Sequence, residues 1–314
     1  MIGDFSSFDK MRLLDDKVSN FATSHQNNST SWTEADISGI ERTWCEVCYG
    51  NGKFVTVASR STKAAYSRDG INWIETNISS TCRNWISVCY GNDRFVAVAF
   101  DSNKAAYSHD GINWTETDIS ETKRHWYSIC YGDDKFVAVA SYSDKAAYSR
   151  DGINWIETNI SSTRIPWDSV CYGNDKFVAV PNYSTKAAYS SDGISWTETD
   201  ISSTSRAWIS VCYGNDRFVA VEYNSNRAAY SRDGINWIEI DFGGTNRNWQ
   251  SICYGNDKFL MVEYESDKIA YSRDGISWIE TDISGIFGDW VSVCYGNGRF
   301  VIVSDESKSA CATI

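Results

Sequence analysis

Side chains that commonly carry chemistry are scarce in this chain or are copied at a fixed spacing. Its three histidines, His25, His109 and His125, do not stand at the spacing of metal ligands. Aspartates followed by glycine recur every 41 residues, whereas a catalytic site needs a unique set of groups. We therefore expect no catalytic residue, no metal and no cofactor, and we interpret these aspartates as structural turn residues. They are Asp69, Asp110, Asp151, Asp192, Asp233 and Asp274.

A column of arginines is the strongest candidate for ligand binding. A guanidinium presents a planar fork of donors that suits carboxylate, sulfate or phosphate. In a chain of net charge −12, a local positive ring would concentrate an anionic ligand, so we predict that it binds an acidic glycan or an acidic surface of a partner protein. The alternative is that each arginine pairs with a loop acid such as Asp118 or Asp200 and only holds its loop in shape. The predicted ligand-binding residues are Arg42, Arg83, Arg124, His125, Tyr127, Arg164, Arg206 and Arg247.

The ten cysteines predict reduced thiols rather than disulfides. Seven of them are copies of one repeat position, and equivalent points on successive repeats lie too far apart for the Cα separation below about 7 Å that a disulfide needs. We expect these seven to be buried as small apolar side chains. Cys45-Glu46-Val47-Cys48 is a lone CxxC without a matching second pair, which disfavours zinc. The seven are Cys48, Cys89, Cys130, Cys171, Cys212, Cys253 and Cys294.

A 41-residue repeat positions all of these side chains. The 14 tryptophans fall into two series of seven. Six members of the first series follow an Asp-Gly turn and the seventh, Trp32, follows a degenerate form of it, while the second series lies 12 residues after the first. Within one unit, residues 85–90, 95–99, 105–108 and 114–118 read as strands separated by turn signals such as Gly91-Asn92-Asp93. Four short strands in each of seven repeats predict an all-β protein, a seven-bladed β-propeller of four-stranded blades.

The two ends of the chain predict how the ring closes. The last repeat lacks an Asp-Gly turn and a fourth strand, while residues 32–37 form an orphan fourth strand before the first complete repeat. That N-terminal strand would complete the last blade and leave no open edge. The third strand of that blade would come from residues 309–313, although residues 17–23 also resemble its sequence pattern.

The turn sequence resembles a known family motif. Ser67-Arg68-Asp69-Gly70-Ile71-Asn72-Trp73 and its copies are similar to the Asp-box of sialidase-like β-propellers, in the form Ser-x-Asp-Gly-x-x-Trp and one residue shorter than the longer family form. The whole repeat resembles those of phage tail and gut-bacterial surface proteins over roughly residues 32–311. The resemblance implies a propeller in which the box is a structural turn, and it implies no chemistry at the box.

Sequence variation between the repeats predicts a recognition face. The loop from the fourth strand of one repeat to the first strand of the next varies, as does the residue after the second tryptophan. The loop from the second strand to the third varies as well. Antiparallel strands place these segments at one end of every blade, around the mouth of the channel. Variable loops on a rigid scaffold are a usual place for recognition, whereas drift would also alter the exposed turns at the other end.

Residues 1–28 are expected to form a separate helical or attachment segment with a linker, and 29–314 the propeller. An apolar stripe at helical spacing between residues 5 and 21 indicates a helix packed on the propeller or a homo-oligomer contact. The acidic charge disfavours nucleic acid, and no apolar run is long enough for membrane insertion. No signal peptide is visible, so we expect synthesis in the cytoplasm and possible association with a virion.

These observations favour a non-catalytic recognition or adhesion protein of the phage tail or virion-associated kind, which binds a glycan or a protein receptor. Two alternatives stay open. One is a sialidase-like glycoside hydrolase, which would need an arginine triad, a tyrosine nucleophile paired with a glutamate and a separate acid. The other is a recently amplified or designed propeller without a selected ligand, because the repeats are nearly identical.

Overall fold

The chain folds into a seven-bladed β-propeller. The computed structural model describes residues 31–283 and 285–313, which contain 28 strands and no helix. The strands form seven four-stranded antiparallel sheets, one per blade. The predicted strands agree with the structure to within a residue or so, as the predicted strand 85–90 is observed as Asn84–Gly91.

Each blade runs from an inner strand near the central channel to an outer strand at the rim. Blade 1 contains β2 (Trp44–Gly50), β3 (Lys53–Ala58), β4 (Lys63–Ser67) and β5 (Trp73–Asn77), and blade 2 contains β6 (Asn84–Gly91), β7 (Arg94–Phe100), β8 (Lys104–Ser108) and β9 (Thr115–Asp118). Blade 3 contains β10 (His125–Gly132), β11 (Lys135–Ser141), β12 (Lys145–Ser149) and β13 (Ile156–Asn159), and blade 4 contains β14 (Trp167–Gly173), β15 (Lys176–Pro181), β16 (Lys186–Ser190) and β17 (Thr197–Asp200). Blade 5 contains β18 (Trp208–Gly214), β19 (Arg217–Glu222), β20 (Arg227–Ser231) and β21 (Ile238–Asp241), and blade 6 contains β22 (Trp249–Gly255), β23 (Lys258–Glu263), β24 (Lys268–Ser272) and β25 (Ile279–Asp282). Blade 7 contains β26 (Trp290–Gly296), β27 (Arg299–Ser304) and β28 (Lys308–Ala312), and β1 (Thr33–Asp36) is its outer strand.

The ring closes as the sequence predicts. Strand β1 pairs antiparallel with β28, with Thr33 opposite Cys311 and Asp36 opposite Lys308. Of the two sources considered for the third strand of blade 7, the structure uses the C-terminal one. The other, residues 17–23, lies outside the described residues, as do the N-terminal segment 1–28 and its predicted helical stripe over residues 5–21.

The core lies between neighbouring blades rather than inside one blade. Along β7, all residues from Phe95 to Ala99 are fully buried, because each face of the blade is covered by a neighbour. One cluster joins Val55 and Val57 of blade 1 to Trp85 and Val88 of blade 2. Such a core needs apolar residues on both faces of the strand, which explains why these strands do not alternate between apolar and polar residues.

Glycines at the ends of the inner strands permit close contact between blades. A Cβ atom on Gly91 would lie 2.0 Å from Cγ of Tyr131 in the next blade. The same contact occurs at all seven junctions, including that of Gly296 with Tyr49 between blades 7 and 1. Any larger residue there would push the neighbouring tyrosine away.

No helix in the described residues meets the length and apolarity required to cross a bilayer.

Candidate binding site at the channel mouth

A β-bulge near the start of every inner strand brings one residue per blade to the channel mouth. In blade 2, Trp85 pairs with Ala99 and Ser87 with Val98, so Ile86 between them has no partner on β7. The register shifts at the same place in the other six blades. A bulge redirects the side chain of the extra residue. The seven residues, which we call the mouth residues, are Cys45, Ile86, Tyr127, Asp168, Ile209, Gln250 and Val291.

The mouth residues line a cavity of about 230 Å³ on the axis of the propeller. Its walls combine apolar side chains with carboxylates. Asp305, from the loop after β27, and Glu46, next to the bulge of blade 1, also line it. The sequence identified the variable position after the second tryptophan, and the structure shows that all seven copies face a single cavity.

A ring of hydrogen bonds lies directly beneath the mouth residues and is the same in six of the seven blades. The serine that follows each bulge accepts a hydrogen bond from a backbone N–H of the next blade, as Ser87 does from Ile129 at 3.0 Å. In blade 1 the carboxylate of Glu46 replaces the serine and accepts from the N–H of Val88 at 2.9 Å. All seven junctions are bridged, and Ser292 closes the ring by accepting from Val47 at 3.1 Å. The other serines are Ser128, Ser169, Ser210 and Ser251.

Asp168 is a buried carboxylate with only neutral partners. It is 6% exposed and accepts hydrogen bonds from the hydroxyl of Ser141 at 3.1 Å and the amide of Asn182 at 2.9 Å. Burial raises the pKa of Asp168 to about 6, although these hydrogen bonds act in the opposite direction. Among the described residues, no lysine, arginine or histidine forms an ion pair with it. It therefore stays mostly ionised at neutral pH without a neighbouring positive charge.

Two further carboxyl groups line the cavity, and Glu46 is only partly ionised at neutral pH. Burial raises the pKa of Glu46 to about 7, against the hydrogen bonds from Ser87 and Val88. Burial and the charge of Asp289 raise the pKa of Asp305. One oxygen of Asp305, Oδ2, accepts from the hydroxyl of Tyr264 at 3.3 Å, while Oδ1 is buried without a hydrogen-bond partner among the described residues.

Two aromatic side chains outside the cavity lining, Phe100 and His125, pack beside Tyr127 of the cavity wall. The rings of Phe100 and His125 stack with their centroids 4.3 Å apart, and Phe100 meets Tyr127 edge to face at 6.2 Å. Burial, together with the negative charge of Asp168, raises the pKa of Tyr127 to about 12. Its hydroxyl therefore stays protonated at neutral pH and can donate a hydrogen bond.

The predicted arginine column is matched by a column of glutamates. In five blades the arginine binds a glutamate of the outer strand, as Arg83 does through Nε to Oε1 of Glu116 at 2.9 Å and through Nη2 to Oε2 at 3.1 Å. Asp118 and Asp200, the partners considered from sequence, bind Lys104 and Lys186 instead. The ion pairs are Arg42–Glu75, Arg83–Glu116, Arg124–Glu157, Arg206–Glu239 and Arg247–Glu280.

These pairs neutralise the positive charge on which the predicted acidic ligand depends. Arg206 and Arg247 each bind a second carboxylate as well, Glu222 at 3.4 Å and Glu263 at 3.2 Å. Arg164 is exposed and has no ion pair within the described chain, because Ile165 takes the equivalent place in the backbone bridge to Ser143. A direct ligand-binding role for the arginines remains a prediction, but their geometry matches the structural alternative.

The aspartates of the repeated Asp-Gly turns hold these turns at the opposite end of the blades. Asp69 Oδ1 accepts from the N–H groups of Ile71 at 3.0 Å and Asn72 at 2.8 Å, and from the hydroxyl of Ser67 at 2.9 Å. Burial opposes ionisation of Asp69, but these hydrogen bonds outweigh it and hold its pKa well below the usual range. The other five Asp-Gly turns repeat this arrangement. These six aspartates therefore act as turn-forming residues.

All ten cysteines are free. The seven in-phase thiols are half-buried on the inner strands rather than fully buried as predicted, because they pack against the margins of the core clusters between blades. Burial raises the pKa of each thiol, including Cys89 and Cys130. Among the described residues there is no group of three or more potential ligands that could hold a metal ion.

Comparisons with known proteins show the fold. Neither the protein-family models nor the curated proteins give a match. A virginiamycin B lyase from Staphylococcus aureus is similar with a TM-score of 0.82 and 13% identity, over 90% of this chain and 99% of that one. YCF48 bound to D1 peptide has a TM-score of 0.73 and 13% identity, over 93% and 99%. The WD40 propeller domain of Doa1 has a TM-score of 0.67 and 14% identity, over 90% and 97%.

Proposed function

We propose that this protein is a non-catalytic recognition module that binds a segment of a partner protein at the channel mouth. The observation that carries the proposal is the contrast between two adjacent layers. The mouth residues differ from blade to blade and share one cavity, whereas the hydrogen-bond ring beneath them is the same in nearly every blade. A fixed scaffold that presents variable side chains at one place is suited to recognition.

The similar structures fit this proposal but do not decide it. One of them is a complex with a peptide, YCF48 with D1 peptide, and another is an enzyme, virginiamycin B lyase. At such low identity the likeness supports the scaffold, so function has to be argued from the cavity.

The chemistry of the cavity supports binding over catalysis. Burial raises the pKa of the Cys45 thiol to about 12, and no histidine among the described residues lines the cavity to act as its base. The arginines that a sialidase would use are engaged by glutamates.

A glycan is the second candidate ligand. Tyr142 and Tyr183, on adjacent blades, are 68% and 70% exposed and could stack on sugar rings at the same face. The repeat also resembles those of phage tail and bacterial surface proteins, so adhesion, including adhesion by a virion, belongs to the proposal.

One experiment tests the proposed function. The labelled protein is applied to a peptide array and a glycan array, and is incubated with panels of hydrolase and lyase substrates. A matched variant, Tyr127→Ile/Asp168→Ile/Gln250→Ile, carries isoleucine at three mouth positions. Isoleucine is already the mouth residue of blades 2 and 5. Saturable binding that the variant loses supports recognition at the mouth. Turnover of a substrate, or binding that the variant retains in full, contradicts it.

A further inference from the structure

The size of the cavity limits what it can hold. Pockets for drug-sized ligands measure roughly 300–1,000 Å³, whereas this one measures about 230 Å³. At about 30 Å³ per water molecule, that is roughly eight waters. The cavity is large enough for one long side chain with some water, and too small for an oligosaccharide.

The charges in the cavity determine which side chain it favours. Three carboxylates line it, those of Glu46, Asp168 and Asp305, and of the described residues no lysine, arginine or histidine does. Asp168 is nine-tenths buried with neutral donors only, and Asp305 has a buried oxygen without a partner. An anionic group would meet repulsion from Asp168 and Asp305, and from the ionised fraction of Glu46, in a chain of net charge −12.

The walls complement the two parts of a long cationic side chain. Ile86, Ile209 and Val291 offer apolar surface to a methylene stem. The Tyr127 ring can attract the charge at the end of that stem, and its hydroxyl and the Gln250 amide can complete the hydrogen bonding of nearby waters. A bare metal ion would have little use for these apolar walls, and the described residues contain no metal-binding group.

We propose that the channel mouth binds a single cationic side chain, lysine or arginine, projecting from a segment of a partner protein. The inference rests on the proposed function and specifies its ligand. The cation lies among Asp168, Glu46 and Asp305, and its stem lies against the isoleucine and valine mouth residues.

Titration with four short peptides tests this inference. The probes are acetyl-Gly-Gly-X-Gly-Gly-amide, with lysine, arginine, norleucine or glutamate at X, and the Gln250 side-chain amide signal reports binding by NMR. We expect the lysine and arginine peptides to bind at least about tenfold more tightly than norleucine, as for a charge-assisted hydrogen bond. Equal affinity for lysine and norleucine, or preference for glutamate, overturns the inference.

Substitutions that copy the residue found at the same position of another blade test which carboxyl groups bind the cation. Asp168→Gln introduces the mouth residue of blade 6, and Glu46→Ser introduces the serine of the other six blades, so both are compatible with the fold. Each is expected to weaken lysine binding several-fold and to leave norleucine binding unchanged. Asp200→Asn removes the same charge at the rim, where Asp200 binds Lys186, and should have no effect. Thermal melts check that every variant is folded.

The outcome separates this inference from the proposed function. If the arrays show mouth-dependent binding but lysine has no advantage over norleucine, recognition stands and the cationic ligand is wrong. If neither array nor peptide shows mouth-dependent binding, both are wrong.

Discussion

At the scale of single residues, Asp168 combines a role at the mouth with a cost in stability. Burial raises its pKa in the folded state to about 6, above the value near 3.9 of an unfolded chain. The folded state therefore binds the proton more tightly than the unfolded chain does. As a result, the contribution of this carboxyl to the free energy of unfolding is most favourable below about pH 4. That contribution is lost as the pH rises through about 6.

Asp168→Asn is therefore expected to stabilise the protein at pH 7.5, by about 2–3 kcal/mol at most. The neutral amide can accept from Asn182 and donate to the Ser141 hydroxyl, so both contacts persist. Urea unfolding at pH 7.5 and pH 4.0 measures the effect, which should shrink at the lower pH. A variant that is less stable at pH 7.5 would show that the charge itself is stabilising.

The thiols give a second prediction at this scale. The thiolate is the reactive species, and burial raises the pKa of Cys171 and the other in-phase thiols. A thiol reagent at pH 7.5 should therefore label the exposed Cys82 first and the seven in-phase cysteines much more slowly. The control is Cys82→Ser, which introduces the serine of blade 5 and should abolish the fast phase. Rapid labelling of several sites, or a mass that indicates disulfides, would contradict this expectation.

At the scale of elements, the Arg–Glu pairs connect neighbouring blades. The backbone of Arg206 bonds to Ser184 of blade 4, while its side chain reaches Glu239 on the outer strand of blade 5 and Glu222 at the end of β19. Glu222 is buried, and blades 1 to 3 have alanine at its position. The arginine therefore compensates a buried charge as well as joining two blades.

Arg206→Ala should cost about 2 kcal/mol, in the range for hydrogen bonds to charged groups. Arg83→Ala removes a single, more exposed pair and should cost less than about 1 kcal/mol. The double variant Arg206→Ala/Glu222→Ala should lose less than the sum of the two single variants, because no buried charge is left alone. Urea unfolding of the set measures this, and strictly additive losses would argue against the coupling.

The elements also show how far sequence reasoning reaches. Strand bounds, blade number and closure followed from the spacing of Trp85 and its copies and from turn residues, since these are local signals repeated seven times. The bulge at Ile86 was missed, because a single unpaired residue leaves no periodic trace in a short strand. The Arg83–Glu116 pair was also missed, since its members are 33 residues apart and meet only once the blade has formed.

At the scale of the whole molecule, stability depends on closure by β1. Removing residues 1–37 deletes this strand and exposes the edge of β28, which makes the chain prone to self-association. We expect a lower melting temperature and aggregation by light scattering. Removing only residues 1–30 keeps every described strand and serves as the control. A peptide of residues 31–40 should restore part of the lost melting temperature by adding the missing strand to β28. Identical melting temperatures and light scattering of the two truncations would show that closure by β1 is dispensable.

The bulge that presents one residue per blade also has an evolutionary consequence. The DNA segment that encodes one repeat specifies one residue of the cavity. Neighbouring repeats contact each other through nearly the same residues at every junction. Unequal recombination between repeats would therefore exchange or reorder cavity positions without disturbing the fold. A single gene-conversion event would therefore change the ligand preference. No compensating mutation in the core would be required, because the contacts between blades stay the same. Near-identity of the repeats, which favours such recombination, and diversity at the mouth are in this sense two results of the same architecture.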